Sequence, residues 1–126
     1  MDQPIPFWLV AQFTICPDSF FAQEEPRIGV TTIEEIDGGV AEYLVTLSPE
    51  LVGELQRSKT SVVVSQWANA AYGPEASLRV CACVNNDGIN RPSNQLRVAF
   101  LRPDGGLANV AECGTTAAHV SILRTA

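Results

Sequence analysis

At 126 residues, 46% apolar and 17% charged, the chain has the length of one domain and too little charge for a disordered segment. No apolar run approaches the roughly 20 residues that cross a bilayer as a helix, and Met1-Asp2-Gln3-Pro4 begins neither a basic nor a long apolar signal region. The net charge of −6 leaves no strongly basic face for phosphate, which argues against nucleic acid as a partner.

The hydrophobic pattern is mostly of period two, the mark of strands with one buried face. Phe7 to Ile15 is a branched and aromatic run closed by Pro17. Arg27 to Ile36 is a second run, and Val40 to Leu47 a third with Tyr43, Val45 and Leu47 on one face. Asp37-Gly38-Gly39 between them has the chemistry of a tight turn, which predicts a hairpin. Ser48-Pro49-Glu50 is a helix-start signal, so one short helix at most is expected, near residues 49–57. Ser61 to Ala68, Leu78 to Val84, Leu96 to Leu101 and His119 to Arg124 complete the predicted strands, with a further turn at Pro103-Asp104-Gly105-Gly106. About seven or eight strands and almost no helix predict a single all-β domain over residues 1–126, an antiparallel β-sandwich or a jelly-roll-like arrangement.

Charge is unevenly distributed along the chain. Residues 1–54 hold ten carboxylates against Arg27 alone, a balance of −9, and residues 55–126 hold four against seven bases, a balance of +3. Either the two parts interleave in one fold and pair locally, or an acidic part of one copy meets an arginine-rich part of another. Aromatics are uneven as well. Five of the nine (Phe7, Trp8, Phe13, Phe20, Phe21) fall within residues 1–21, so this stretch is either a core strand or a docking segment.

Parts for catalysis are scarce. The single histidine, His119, sits in an alternating strand, and no G-x-S-x-G elbow accompanies it. Glu24-Glu25 and Glu34-Glu35 are adjacent pairs, which on a strand point to opposite faces and cannot act together as acid and base. Phosphate-binding and calcium-loop motifs are absent. Cys81-Ala82-Cys83 is too closely spaced for a zinc pair, and its sulfurs share one face of a strand. The four cysteines are expected to be buried thiols, with a Cys16–Cys113 bridge left open. These features predict a protein that is not an enzyme and requires no metal or cofactor.

Several motifs in order resemble one family. Phe7-Trp8-Leu9-Val10 is followed by Ile28-Gly29-Val30, then Gly38-Gly39-Val40-Ala41-Glu42-Tyr43-Leu44-Val45-Thr46-Leu47. Ser61-Val62-Val63-Val64 comes later, and His119-Val120-Ser121-Ile122-Leu123-Arg124 closes the series. This order is similar to that of the C-terminal β-sandwiches of phage tail and head fibres. The resemblance implies a trimeric virion protein, assembled in the host cytoplasm, that contacts capsid or tail proteins and presents loops to solvent or a host surface. Only a short stretch precedes the sandwich, so a small decoration or tip protein is expected rather than a long fibre. Candidate interface residues are Trp8, Phe13, Phe20, Phe21, Ile122 and Arg124. The alternative is a free-standing carbohydrate- or peptide-binding sandwich, whose ligand loop would carry Trp67, Asn69 and Tyr72. Neither reading involves membrane insertion.

Overall fold

Alternating branched and polar residues draw the chain into β1 (Phe7–Ile15), β2 (Val30–Glu35), β3 (Glu42–Leu47), β4 (Thr60–Trp67), β5 (Arg79–Val84), β6 (Gln95–Leu101) and β7 (Ala117–Thr125). A computed structural model describes residues 7–17, 27–67, 77–85, 93–114 and 116–125. Two antiparallel sheets result, β1-β7-β4 and β2-β3-β6-β5. They pack face to face as an all-β sandwich, as the periodicity predicts. Ala11, Phe13 and Ile15 from β1 and Ala118, Val120 and Ile122 from β7 meet Tyr43, Val45 and Leu47 from β3 and Leu96, Val98 and Phe100 from β6. Burying a side chain of this size contributes about 1.5–3 kcal/mol, which makes this cluster the main source of stability.

The sheets also meet along both sides. Gln12 and Ile28 exchange two backbone hydrogen bonds of 2.9 Å, which ties β1 to the segment entering β2. On the other side the Gln66 side-chain amide donates to the Leu78 carbonyl at 2.6 Å, joining β4 to the start of β5. These contacts occupy part of the sheet edges, which otherwise offer free backbone groups to any passing strand.

The hairpin β2–β3 turns at Asp37-Gly38-Gly39, with Gly39 at φ +83° and the Val40 N–H donating to the Asp37 carbonyl at 3.2 Å. The helical content differs from expectation. Residues 49–57 form two 3-10 turns, Pro49–Leu51 and Glu54–Gln56, because Gly53 at φ +86° interrupts the run. A one-turn helix, α1 (Val110–Cys113), stands where no helix was predicted. Its four residues are too few to leave a 3.6-residue period, and a polar contact holds it. Glu112 accepts from the Asn109 N–H at 3.2 Å and from Arg102 Nε at 3.0 and 2.9 Å, with Arg102 Nη2 donating as well.

The thiols also depart from expectation. Cys113 is buried and Cys16 half-buried, but Cys81 and Cys83 are exposed. Strand β5 turns Val80, Ala82 and Val84 toward the core, and the intervening cysteines necessarily face outward. All four cysteines are thiols, and no disulfide joins Cys16 to Cys113.

Two bends meet where β1 approaches β2. The pairing of β1 with β7 shifts at Val10, and the pairing of β2 with β3 shifts at Thr31. Gly29 lies between them at φ +68°, and a Cβ there would stand 2.7 Å from the Val10 carbonyl oxygen. Gly29→Ala should therefore destabilise the fold by about 1–3 kcal/mol, the cost of a strained left-handed residue. Gly38→Ala, with open space around it, serves as the control in the same denaturant titration. Arg102 and the Asn109 N–H hold the Glu112 carboxyl down to about 2, Arg102 making the larger contribution. A depressed carboxylate stabilises above its unfolded pKa, about 4.3, and the gain is lost as pH falls through the folded value. The difference in Tm between the native chain and Glu112→Gln should be full above about pH 5 and gone near pH 2.

Candidate functional site

One end of the sandwich is closed by polar groups rather than apolar ones. Trp8, Arg124 and Thr60 occupy one rung across β1, β7 and β4, in phase with the inward residues Ile122 and Val62 but beyond the last apolar layer. The segment 49–57 passes beneath this rung. Its Gly53 N–H donates to the Ser93 carbonyl at 3.1 Å, and the preceding Leu47 N–H donates to the Asn94 carbonyl at 2.7 Å. Glu54 is thereby carried under the rung, where it is only 5% exposed.

A buried carboxylate is costly unless charged or hydrogen-bonding partners surround it. Here Thr60 Oγ1 donates to Glu54 Oε1 at 3.1 Å, while Arg124 Nη1 and Arg57 Nε lie 3.2 and 3.3 Å from Oε2. Arg124 in turn sits over the indole of Trp8, 5.7 Å from the ring centroid, in the geometry of a cation–π contact. The indole stays half exposed, at 51%. Trp8, Arg57, Ser58, Lys59, Arg124 and Thr125 line an open concavity of about 650 Å³. Among the described residues, three cations against one buried carboxylate give this concavity a positive surface on an acidic protein.

At the opposite end a smaller cavity of about 340 Å³ is lined by Ile15, Cys16, Pro17, Arg27, Ile33, Glu35 and Tyr43. The Tyr43 hydroxyl is buried there without a hydrogen-bond partner among the described residues. Burial foremost, and then Glu35, push its pKa above the usual phenol value. Its ring meets Phe100 edge to face, with centroids 6.4 Å apart.

The outer face of β1-β7-β4 is the third feature. Leu9, Gln12 and Thr14 of β1 lie beside Leu123, Ser121 and His119 of β7, and these beside Ser61, Val63 and Ser65 of β4. None of these nine is Lys, Arg, Asp or Glu. Leu9 and Val63 are 43% and 49% exposed. His119 Nδ1 lies 2.9 Å from Thr14 Oγ1 on this open face, and among the described residues no three His, Cys, Asp or Glu side chains are placed to share a metal. The outer face of the other sheet carries Glu34, Glu42, Arg79 and Arg97.

Of the residues singled out in the sequence, Trp8 and Arg124 come together in one site. Phe13 and Ile122 do not belong to any surface, being fully buried in the core. The pairing shift at Val10 puts Ala11, Phe13 and Ile15 inward while Leu9 faces out, so the aromatic stretch is divided between core and surface. Trp67 ends β4 opposite Ala117 rather than standing in a loop. Phe20, Phe21, Asn69 and Tyr72 lie outside the described residues. Glu54, Arg57 and Lys59 escaped the sequence reading. Their one signal is Gly53, a break that lets a carboxylate drop under the sheet.

Comparison with protein-family models, with curated proteins and with solved structures finds no match to the chain, so the site is read on its own chemistry. Arg124→Ala should cost about 2 kcal/mol, because it strips a partner from a buried carboxylate. Arg57→Ala should cost less, since its side chain is 61% exposed. Urea titrations of the two variants check the order.

Proposed function

We propose that this chain is a non-enzymatic structural component of a phage particle, a capsid decoration, head-fibre or tail-tip protein that self-associates as a homotrimer and docks on other virion proteins. The observation that carries the reading is the uncharged outer face of β1-β7-β4. A solvated sheet face normally holds charged side chains, and one that lacks them while exposing Leu9 and Val63 suits burial against another protein surface. Assembly would bury this face and part of the Trp8 ring. The phage assignment rests on the motif order, and host contact would fall to the loops.

A second reading, a free-standing carbohydrate- or peptide-binding module, draws on the half-exposed indole of Trp8 in its concavity. It predicts a monomer whose Trp8 fluorescence responds to a ligand.

Light scattering across concentration separates the two. A species of three chain masses is expected, and a monomer at every concentration would overturn the trimer. Trp8→Ser and Val63→Glu should each weaken association far more than folding, with stability changing by about 0.5 kcal/mol for the exposed Val63. Equal loss of association and stability would count against both as interface residues.

A further inference from the structure

We infer that the concavity around Trp8 receives the acidic β2–β3 turn of a second copy, so that subunits join head to tail. The inference rests on the self-association proposed above and adds a charged contact to the burial of the outer face of β1-β7-β4. Around the concavity lie Arg57, Lys59 and Arg124, and among the described residues the one carboxylate paired with any of them is Glu54, on Arg57 and Arg124, which lies beneath the surface; Glu50, on the same segment, is outside the lining. The complementary surface is on the same chain. Glu34 and Asp37 are exposed in and beside the turn, and among the described residues they form no ion pair; Glu35, on the opposite face of β2, lines the cavity at Tyr43 instead. Ile36 stands among them at 37% exposure. A Cβ at Gly38 or Gly39 would meet nothing within 4 Å, so the side-chain face of the turn is open, while its backbone is anchored by the Val110 N–H donating to the Gly39 carbonyl at 2.8 Å.

The two surfaces cannot satisfy each other within one copy. Leu47, at one end of β3, leads to the segment under the concavity, while Glu42, at the other, follows the turn. They are separated by the length of β3, five residue steps and about 17 Å at strand rise. An ion pair needs roughly 4 Å, and salt screens charges beyond about 8 Å under physiological conditions. Only another molecule can bring the carboxylates to the cations and Ile36 to the exposed indole face. Such a contact joins different surfaces, so it is heterologous and closes into a ring when the rotation per subunit permits, a trimer at three copies.

Complementary charge exchange tests this. One variant carries Ser58→Glu and Lys59→Glu, which leaves Arg57 and Arg124 to hold Glu54; the other carries Glu34→Lys and Asp37→Lys. Each alone should associate at least about tenfold more weakly than the native chain, and a chain carrying all four substitutions, in which every concavity again meets a turn of opposite charge, should regain the native mass in light scattering. Circular dichroism melts verify folding. If both variants associate like the native chain, the head-to-tail contact is wrong while self-association stands. If each is monomeric and the chain carrying all four substitutions stays so, the two surfaces are not partners and the inference fails. A monomeric native chain overturns the inference together with the trimer. The native chain supplies a test free of substitutions. Raising salt from about 0.01 M to about 1 M shortens the Debye length from about 30 Å to about 3 Å and should dissociate the assembly. Unchanged mass over that range overturns the inference.

Discussion

A carboxylate withdrawn from water must be surrounded by donors, and at Glu54 that requirement organises one whole end of the molecule. Thr60 and Arg124 come from β4 and β7, Arg57 from the segment that carries Glu54 itself. Holding them around one carboxyl fixes how the 3-10 turns cross beneath the three-stranded sheet. It also fixes Arg124, and with it the indole of Trp8. The exposed concavity is thus the outer surface of a buried ion cluster. Removing an outer residue such as Lys59 alters the surface, whereas removing Arg124 alters the fold.

The strands were legible because large apolar residues recur at every second position in β3, β6 and β7, and a half-buried sheet demands this alternation. Turns were legible where glycine follows aspartate. What escaped was phase. In β1 the period is broken at Val10, and a bulge leaves no mark in composition, so Leu9 and Phe13, in phase by period two, face opposite ways, while Trp8 shares the inward phase of Phe13 but stands beyond the last apolar layer. Strand β5 offers valine, alanine and cysteine in alternation, all small and apolar, and only packing decides that the thiols face out. Glu54 was hidden among the carboxylates of the acidic part because burial of a charge depends on partners from distant strands.

The uneven charge of the chain is partly resolved by the fold. Glu54 belongs to the acidic stretch and Arg124 to the basic one, and the sandwich brings them within 3.2 Å. Arg102 and Glu112, both from the basic stretch, pair with each other. Local pairing therefore accounts for some of the asymmetry. The carboxylates of the β2–β3 turn are left over, and so is Lys59, which makes the distribution of charge along the strand axis a property of the folded molecule as well as of its sequence.

The placement of β7 has a consequence for how the chain folds. It is the central strand of its sheet, paired on one side with β1 and on the other with β4. Thr14 and His119, opposite each other across β1 and β7, are 105 residues apart in sequence. The hairpin β2–β3 can form from local contacts, but β1 has no sheet partner in its own sheet until β7 has left the ribosome. Such non-local pairing is slow, on the order of milliseconds to seconds for all-β domains. During synthesis the apolar residues of β1, Phe13 among them, therefore remain uncovered longest. A chaperone that binds extended apolar segments would have its longest opportunity at β1.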